Sequence, residues 1–306
     1  MSAAIIASLA PAKLNSTVLA IRNLRISLAV DANPFRHSGN LYPSILTVPG
    51  GQPMVTFQTP FFPAYTLMGM GNGALKLTVF EAYLATFADS VRQPGAVHTK
   101  YHLNTVPGAA TGFAYITGAS VDNNGVLMAD IMVALISFDG MANPLLRVDS
   151  VAIPTLAGEP ALHTLGPIEV NGTVIGGVSQ AGIDTGYQTQ FLKTDGDMFP
   201  RNFACLGADR TMSVQFKDAL AAWDELTLLG AAITANVIQY FRSYSGPNQV
   251  KLTTGMSFTM ASGRIVPDTL SADNLAVLDA PAKIIPLSAS ATDPVIIANG
   301  VAIPTP

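Results

Sequence analysis

Apolar positions are so frequent along this chain that simple alternation separates strand from helix poorly. β-branched runs bounded by Gly, Pro, Asn and Asp are the better guide. They place strands at Thr17–Ala29, Met54–Gln58, Leu75–Tyr83, Gly112–Thr117 and Gly125–Ser137 in the first half. The second half offers Gly182–Leu192, Thr211–Phe216, Ala235–Arg242, Lys251–Met260 and Leu275–Ile285. Asp122-Asn123-Asn124-Gly125 is a hairpin signal, because Asn and Gly accept positive φ. One helix is expected at Asp218–Leu229, capped by Asp218 and ended by Gly230. Its counterpart, Pro60–Met68, carries prolines and is expected to be short or missing.

The two halves resemble each other. Tyr42-Pro43 corresponds to Phe199-Pro200 at an offset of 157, where Gly50 meets Gly207, Phe57 meets Val214 and Gln58 meets Gln215. After a one-residue slip Val79 meets Val237 and Tyr83 meets Phe241. Further on, Phe113 matches Phe258, Thr117-Gly118 matches Ser262-Gly263, and Leu127–Asp130 resembles Leu270–Asp273. The offset falls from 158 at Val79/Val237 to 145 at Phe113/Phe258. This implies 13 extra residues in the first copy, within Phe87–Gly112, a stretch that reads as a long loop. Loops of that length are usually functional. The organisation expected is an arm over 1–16, a first β domain over 17–153, a linker over 154–167 and a second β domain over 168–306.

Charged residues make up only 12% of the chain and hydrophobic residues 49%, so much of the surface must be hidden from water. A membrane fits badly. The longest charge-free run, Ser38–Leu75, is broken by five prolines, and Leu226–Phe241 is too short and carries Thr, Asn and Gln. Met1–Pro11 lacks the basic region of a secretory signal. Association with other protein chains is the remaining explanation. Net charge is −4, and the single Cys205 excludes an internal disulfide framework. The imbalance is local: residues 1–154 carry 8 Lys+Arg against 7 Asp+Glu, and residues 155–306 carry 8 against 13.

Catalytic chemistry is sparse. His98 and His102 have H-x3-H spacing, but no carboxylate or Cys nearby completes a metal site. Gly69, Gly71 and Gly73 miss the dinucleotide-binding spacing. Ser179, with His163 and Asp184, lacks the final glycine and the strand–turn–helix setting of a nucleophile elbow. Asp195 and Asp197, with Asp184, fall short of a calcium loop and read as an acidic turn. Asn15-Ser16-Thr17 and Asn171-Gly172-Thr173 match glycosylation sequons, which carry little weight without a secretory signal. Trp223, Tyr240, Phe241 and Tyr244 read as core. No cofactor, no metal and no enzymatic activity are expected.

The second copy resembles phage tail-tube proteins. The resemblance rests on Gly186-Tyr187-Gln188-Thr189, Asp195–Pro200, Phe258–Ile265 and Ala291–Ile296. It implies a mainly β fold: two tandem related β-sandwich or barrel domains, with a short flanking helix. It also implies a virion structural role, with sheets joined across subunits into rings that stack into a tube through which DNA passes without specific binding. Single-domain members form six-subunit rings, so a tandem pair should close with three chains. The partners expected are further copies of this chain and other tail proteins at the tube ends. The location expected is the virion tail, after synthesis in the host cytoplasm. Val91, Pro94, His98, Tyr101 and His102 in the long loop, with the arm 1–16, are candidates for ring-to-ring contact. Asp195 and Asp197 are candidates for the lumen. The alternative is a double-barrel capsid protein, which also uses duplication and trimeric pseudo-hexamers.

Overall fold

The computed structural model describes residues 5–6, 10–27, 31–36, 38–39, 41–43, 45–70, 74–86, 97–106, 110–122, 125–156, 161–194, 196–217, 231–245, 250–267, 279–288 and 294–305. Within them the chain is almost all antiparallel β with one short helix. No described helix is long and apolar enough to cross a membrane.

The first half contributes β1 (Ile5–Ile6), β2 (Ala10–Leu14), β3 (Thr17–Ser27), β4 (Asp31–Phe35), β5 (Ile45–Gly50) and β6 (Met54–Thr59). Then follow α1 (Phe62–Met68), β7 (Leu75–Leu77), β8 (Phe80–Thr86), β9 (Val97–Leu103), β10 (Ala110–Asp122), β11 (Met128–Ser137) and β12 (Leu145–Val148). The second half contributes β13 (Leu162–Val170), β14 (Thr173–Ile175), β15 (Val178–Asp184), β16 (Tyr187–Leu192), β17 (Asn202–Ala208) and β18 (Thr211–Lys217). It ends with β19 (Ala231–Ala232), β20 (Val237–Ser245), β21 (Val250–Met260), β22 (Gly263–Pro267), β23 (Asp279–Pro286) and β24 (Val295–Ala302).

The same pairing pattern occurs twice. In the first half one layer runs β12-β9-β8-β2-β3; in the second half the matching layer runs β24-β21-β20-β13-β14. The other layers are β3-β6-β11-β10 and β15-β18-β23-β22, with β7 and β19 pairing β10 and β22. A separate hairpin, β4–β5 or β16–β17, accompanies each. Registers agree residue by residue. Ala82 faces Tyr101 as Gln239 faces Phe258, and Asp31 faces Gly50 as Gln188 faces Gly207. Val55 faces Val133 as Met212 faces Ile284.

β3 serves both layers of the first unit. Thr17–Ile21 pairs β2, and Arg22–Ser27 pairs β6 after a register shift. Inward residues of both layers, such as Leu14, Leu19, Val55, Phe57, Leu77, Phe80, Ile131 and Val133, belong to one apolar core. Strand identity follows from two-residue periodicity where one face meets that core. In β18, Thr-Met-Ser-Val-Gln-Phe-Lys buries Met212, Val214 and Phe216 and turns the residues between them outward. α1 carries Pro63 in its first turn, where a missing N–H costs nothing, and ends at Gly69 with φ 64°, whose amide bonds the Tyr65 carbonyl.

The register corrects several sequence expectations. Tyr101 is the counterpart of Phe258, both at an offset of 157, so Phe113 is not. β10 and β11 match β22 and β23 at 151, as Ala114/Ile265 and Val133/Ile284 show. The first unit therefore has 157 − 151 = 6 extra residues between β9 and β10, not 13 in one loop. Residues 97–103 of the supposed loop form β9, held between β8 and β12. The arm is likewise not free throughout, because β2 pairs β3 and β8. Residues 162–167 of the expected linker open β13, paired to β20. Leu75–Tyr83 is broken at Thr78-Val79, and Gly182–Leu192 at Thr185-Gly186. The expected helix over 218–229 lies outside the described residues.

Candidate assembly interface

The two units are joined edge to edge inside the chain. β10 is 13 residues long, and its first half pairs β7 of its own unit. Its second half, Gly118–Asp122, pairs Gln180–Asp184 of β15 in the other unit. The change of partner falls at a bulge at Thr117. Thr185, fully buried, pins that bulge: its hydroxyl donates to the carbonyls of Ile116 and Thr117 at 2.8 and 2.9 Å, and its amide bonds the Thr117 carbonyl at 3.0 Å. These bonds satisfy the two backbone carbonyls that the bulge takes out of the ladder.

Side chains reinforce the joint. Phe113 and Tyr115 of β10 stack on Phe203 of the β16–β17 hairpin at 5.0 and 5.9 Å, and Tyr187 meets Tyr115 edge-on at 5.2 Å. α1 of the first unit reaches across, placing Tyr65 5.7 Å from Phe258 and Phe62 6.2 Å from His163. Arg210 of the second unit donates to the Met70 carbonyl at 3.0 Å.

The tip of the β16–β17 hairpin forms a latch on the first unit. The Gly51 amide bonds the Met198 carbonyl, the Ser137 amide bonds the Pro200 carbonyl, and the Phe199 amide bonds the Gly140 carbonyl, all at 2.8–2.9 Å. Asp197 holds the tip in shape. Its buried carboxylate accepts from Arg201 Nε at 2.9 Å and from the Thr194 amide and hydroxyl at 3.0 Å. Burial pushes this carboxyl up, but those bonds outweigh it and hold it below the usual range. Arg201 also donates to the Asp139 carbonyl at 3.0 Å. The Asp139 carboxylate accepts from the amides of Ala142 and Met141 and from the Ser137 hydroxyl, which lowers it to about 2.

Outside the joint, the second half of β3 stands out. Asn23–Ser27 corresponds to Gln180–Asp184 of β15 by the shared register. On the side away from β6 it has no strand neighbour among the described residues. Leu24 and Ile26 are half-buried there, whereas their counterparts Ala181 and Ile183 are buried where β15 pairs β10.

The residues singled out from sequence fall in different places. Val91, Pro94 and Asp195 lie outside the described residues, as do Gly71, Gly73 and Trp223. His98 and His102 stand on the outer face of β9, while Thr99, Tyr101 and Leu103 turn inward, with Tyr101 packed on the core. Tyr101 thus does not offer an outward contact. Four residues of strand also separate the two histidines by about 13 Å, too far to share a metal ion. Asp197 is buried, with its carboxylate taken up by Arg201 and Thr194.

Ser179, His163 and Asp184 do not converge. The Ser179 hydroxyl donates to the Gln215 carbonyl, Asp184 accepts the Gly186 amide, and His163 is buried with both ring nitrogens lacking a partner among the described residues. Burial lowers its pKa to about 4, which keeps it neutral. No cluster of three metal-ligating side chains occurs among the described residues. Tyr240 and Phe241 are core residues.

Sequence reasoning missed Asn15 and Asn171. Both adopt positive φ, 53° and 50°, at the β2–β3 and β13–β14 turns. The Asn15 side-chain oxygen accepts the amides of Thr78 and Val79; that of Asn171 accepts those of Thr234 and Ala235. The signal was present as two N-x-T triplets 156 residues apart. Comparison with protein-family models and with curated proteins finds no match.

Proposed function

We propose that this chain is a virion structural protein, a tail-tube subunit. Three copies form a pseudo-hexameric ring, and the rings stack into a tube that conducts DNA. The observation that carries the reading is the joint itself. It is heterologous: β10 of one unit meets β15 of the next, and the counterpart of β15, the second half of β3, has no strand on that side among the described residues. A head-to-tail contact that is satisfied once within a chain and open at its end either closes a ring or grows a filament. Two units per chain and six per ring give three chains.

Composition supports the same reading. With 12% charged residues, the chain exposes Phe35, Leu41, Tyr42, Leu206, Val250, Leu287 and Ile296, each more than half accessible. Assembly would cover such surface. Stacking of rings uses the outer face of β9, where His98 and His102 stand. The protein is not an enzyme in this reading; its partners are its own copies, tail proteins at the tube ends, and DNA in transit.

Electron microscopy of the purified protein over a range of concentrations tests this. Hollow tubes or stacked rings with threefold symmetry are the expected result. Closed shells or flat hexagonal sheets would transfer the reading to a double-barrel capsid protein, and dispersed monomers would overturn assembly altogether.

A further inference from the structure

The latch within the chain has a counterpart that the described residues leave empty. By the shared register the β4–β5 hairpin matches β16–β17, so Leu41, Tyr42 and Pro43 hold the positions of Met198, Phe199 and Pro200. The second tip is seated on the first unit, and Pro200 is buried there. The first tip is bare, with Leu41 77% and Tyr42 75% exposed.

The receiving surface shows the opposite asymmetry. On the first unit a Cβ at Gly50 would overlap the Met198 carbonyl, and Ile136, beside the latched Ser137, is 3% exposed. On the second unit Gly207 corresponds to Gly50, and the nearest atom to a Cβ there is Gln188 Oε1 at 3.9 Å. Leu287 corresponds to Ile136 at the 151 offset, and it is 54% exposed; Ile285, two residues before it, is 40% exposed, and Leu206, next to Gly207 in sequence, is 66% exposed. So among the described residues one tip lacks a seat and one seat lacks a tip, in a chain that already shows how the two fit.

We propose that Leu41–Pro43 of one chain docks on the surface formed by Leu206–Ala208 and Ile285–Leu287 of a neighbouring copy of the same chain. The Leu41 carbonyl lies over Gly207 as the Met198 carbonyl lies over Gly50. This rests on the head-to-tail ring of the proposed function and names the contact that locks it. Gly207 is required because a side chain would occupy the space of the incoming backbone. Leu41 and Tyr42 supply the apolar area, and no charge on either side has to be desolvated. The Asp197–Arg201 pair has no equivalent, since Asn40 and Ser44 hold those positions. The contact between chains is therefore apolar and insensitive to salt.

Two variants isolate this contact. Gly207 does not adopt a positive φ, and its Cβ direction is open, so Gly207→Val folds as the parent does by circular dichroism. Leu41→Asp changes an exposed side chain and leaves the intrachain latch intact. Sedimentation velocity should show the parent as trimers or larger, and both variants shifted toward monomer by at least about tenfold in association constant. In parallel, Leu41→p-benzoylphenylalanine should photocrosslink between chains, with the adduct mapped to the peptide containing Gly207. A parent that assembles, with variants that assemble equally well or an adduct elsewhere, would overturn the docking and leave the ring standing. A parent that stays monomeric at every concentration would overturn the ring and this contact together.

Discussion

Replacing Asn15 by Ala should destabilise the first unit by about 2–3 kcal/mol, and Asn171→Ala should do the same to the second. Each asparagine holds a left-handed backbone, where an alanine Cβ costs about 1 kcal/mol or more. Each side-chain oxygen also accepts two backbone amides at 2.9–3.2 Å, across 63 and 64 residues of sequence. With bonds of this exposed or half-buried kind contributing on the order of 0.5–1 kcal/mol apiece, the sum reaches the stated range. Asn→Gly removes the bonds but relieves the backbone, so it should cost about 1–2 kcal/mol. Asn→Asp keeps the acceptor and should stay within about 1 kcal/mol. The assay is urea unfolding by far-UV circular dichroism at a concentration where the chain is monomeric, comparing midpoints at constant slope. The two Ala substitutions lie in separate turns and should add in the double variant. If Ala, Gly and Asp all fell within the scatter of ordinary surface changes, the keystone role assigned to these residues would be wrong.

His163 sets an acid limit. Its pKa is lowered from 6.5 to about 4 in the fold, so the unfolded chain takes up a proton first as pH drops. Stability should fall between about pH 6.5 and 4 by roughly 3 kcal/mol and level off below, and His163→Leu should abolish that segment of the pH–stability curve. Tyr65 carries a buried hydroxyl with no partner among the described residues, and burial raises its pKa. Tyr65→Phe should hold or increase stability by on the order of 1 kcal/mol in the same urea assay. Asp197→Asn should loosen the latch, seen as faster proteolysis at 193–201. Since its bonds lower the Asp197 pKa, the parent should lose the same protection only as pH falls below the ordinary carboxylate range.

Much of the local structure was determined by sequence. β6, β11, β18 and β21 begin and end within a few residues of where β-branched content and turn residues place them, because strand against turn is decided by neighbouring side chains. The Asp122–Gly125 signal does join an antiparallel pair, and Pro63 does leave α1 only seven residues. The likeness of the halves was also legible, since matching cores demand matching apolar spacing.

Register was not legible. Phe113 sits in an apolar run and Tyr101 between Lys100 and His102, and only the facing strands decide that Tyr101 matches Phe258. β9 was hidden because His98, Lys100 and His102 line its outer face; its strand character comes from being held between β8 and β12, not from its own composition. Asp197 looked like part of an exposed acidic turn until Arg201 and the Thr194 amide folded back on it. The empty seat at Gly207 and the occupied one at Gly50 are the same residue type in equivalent strands. What separates them is whether another segment arrives from far along the chain, and backbone pairing across such distances is settled by the whole tertiary arrangement.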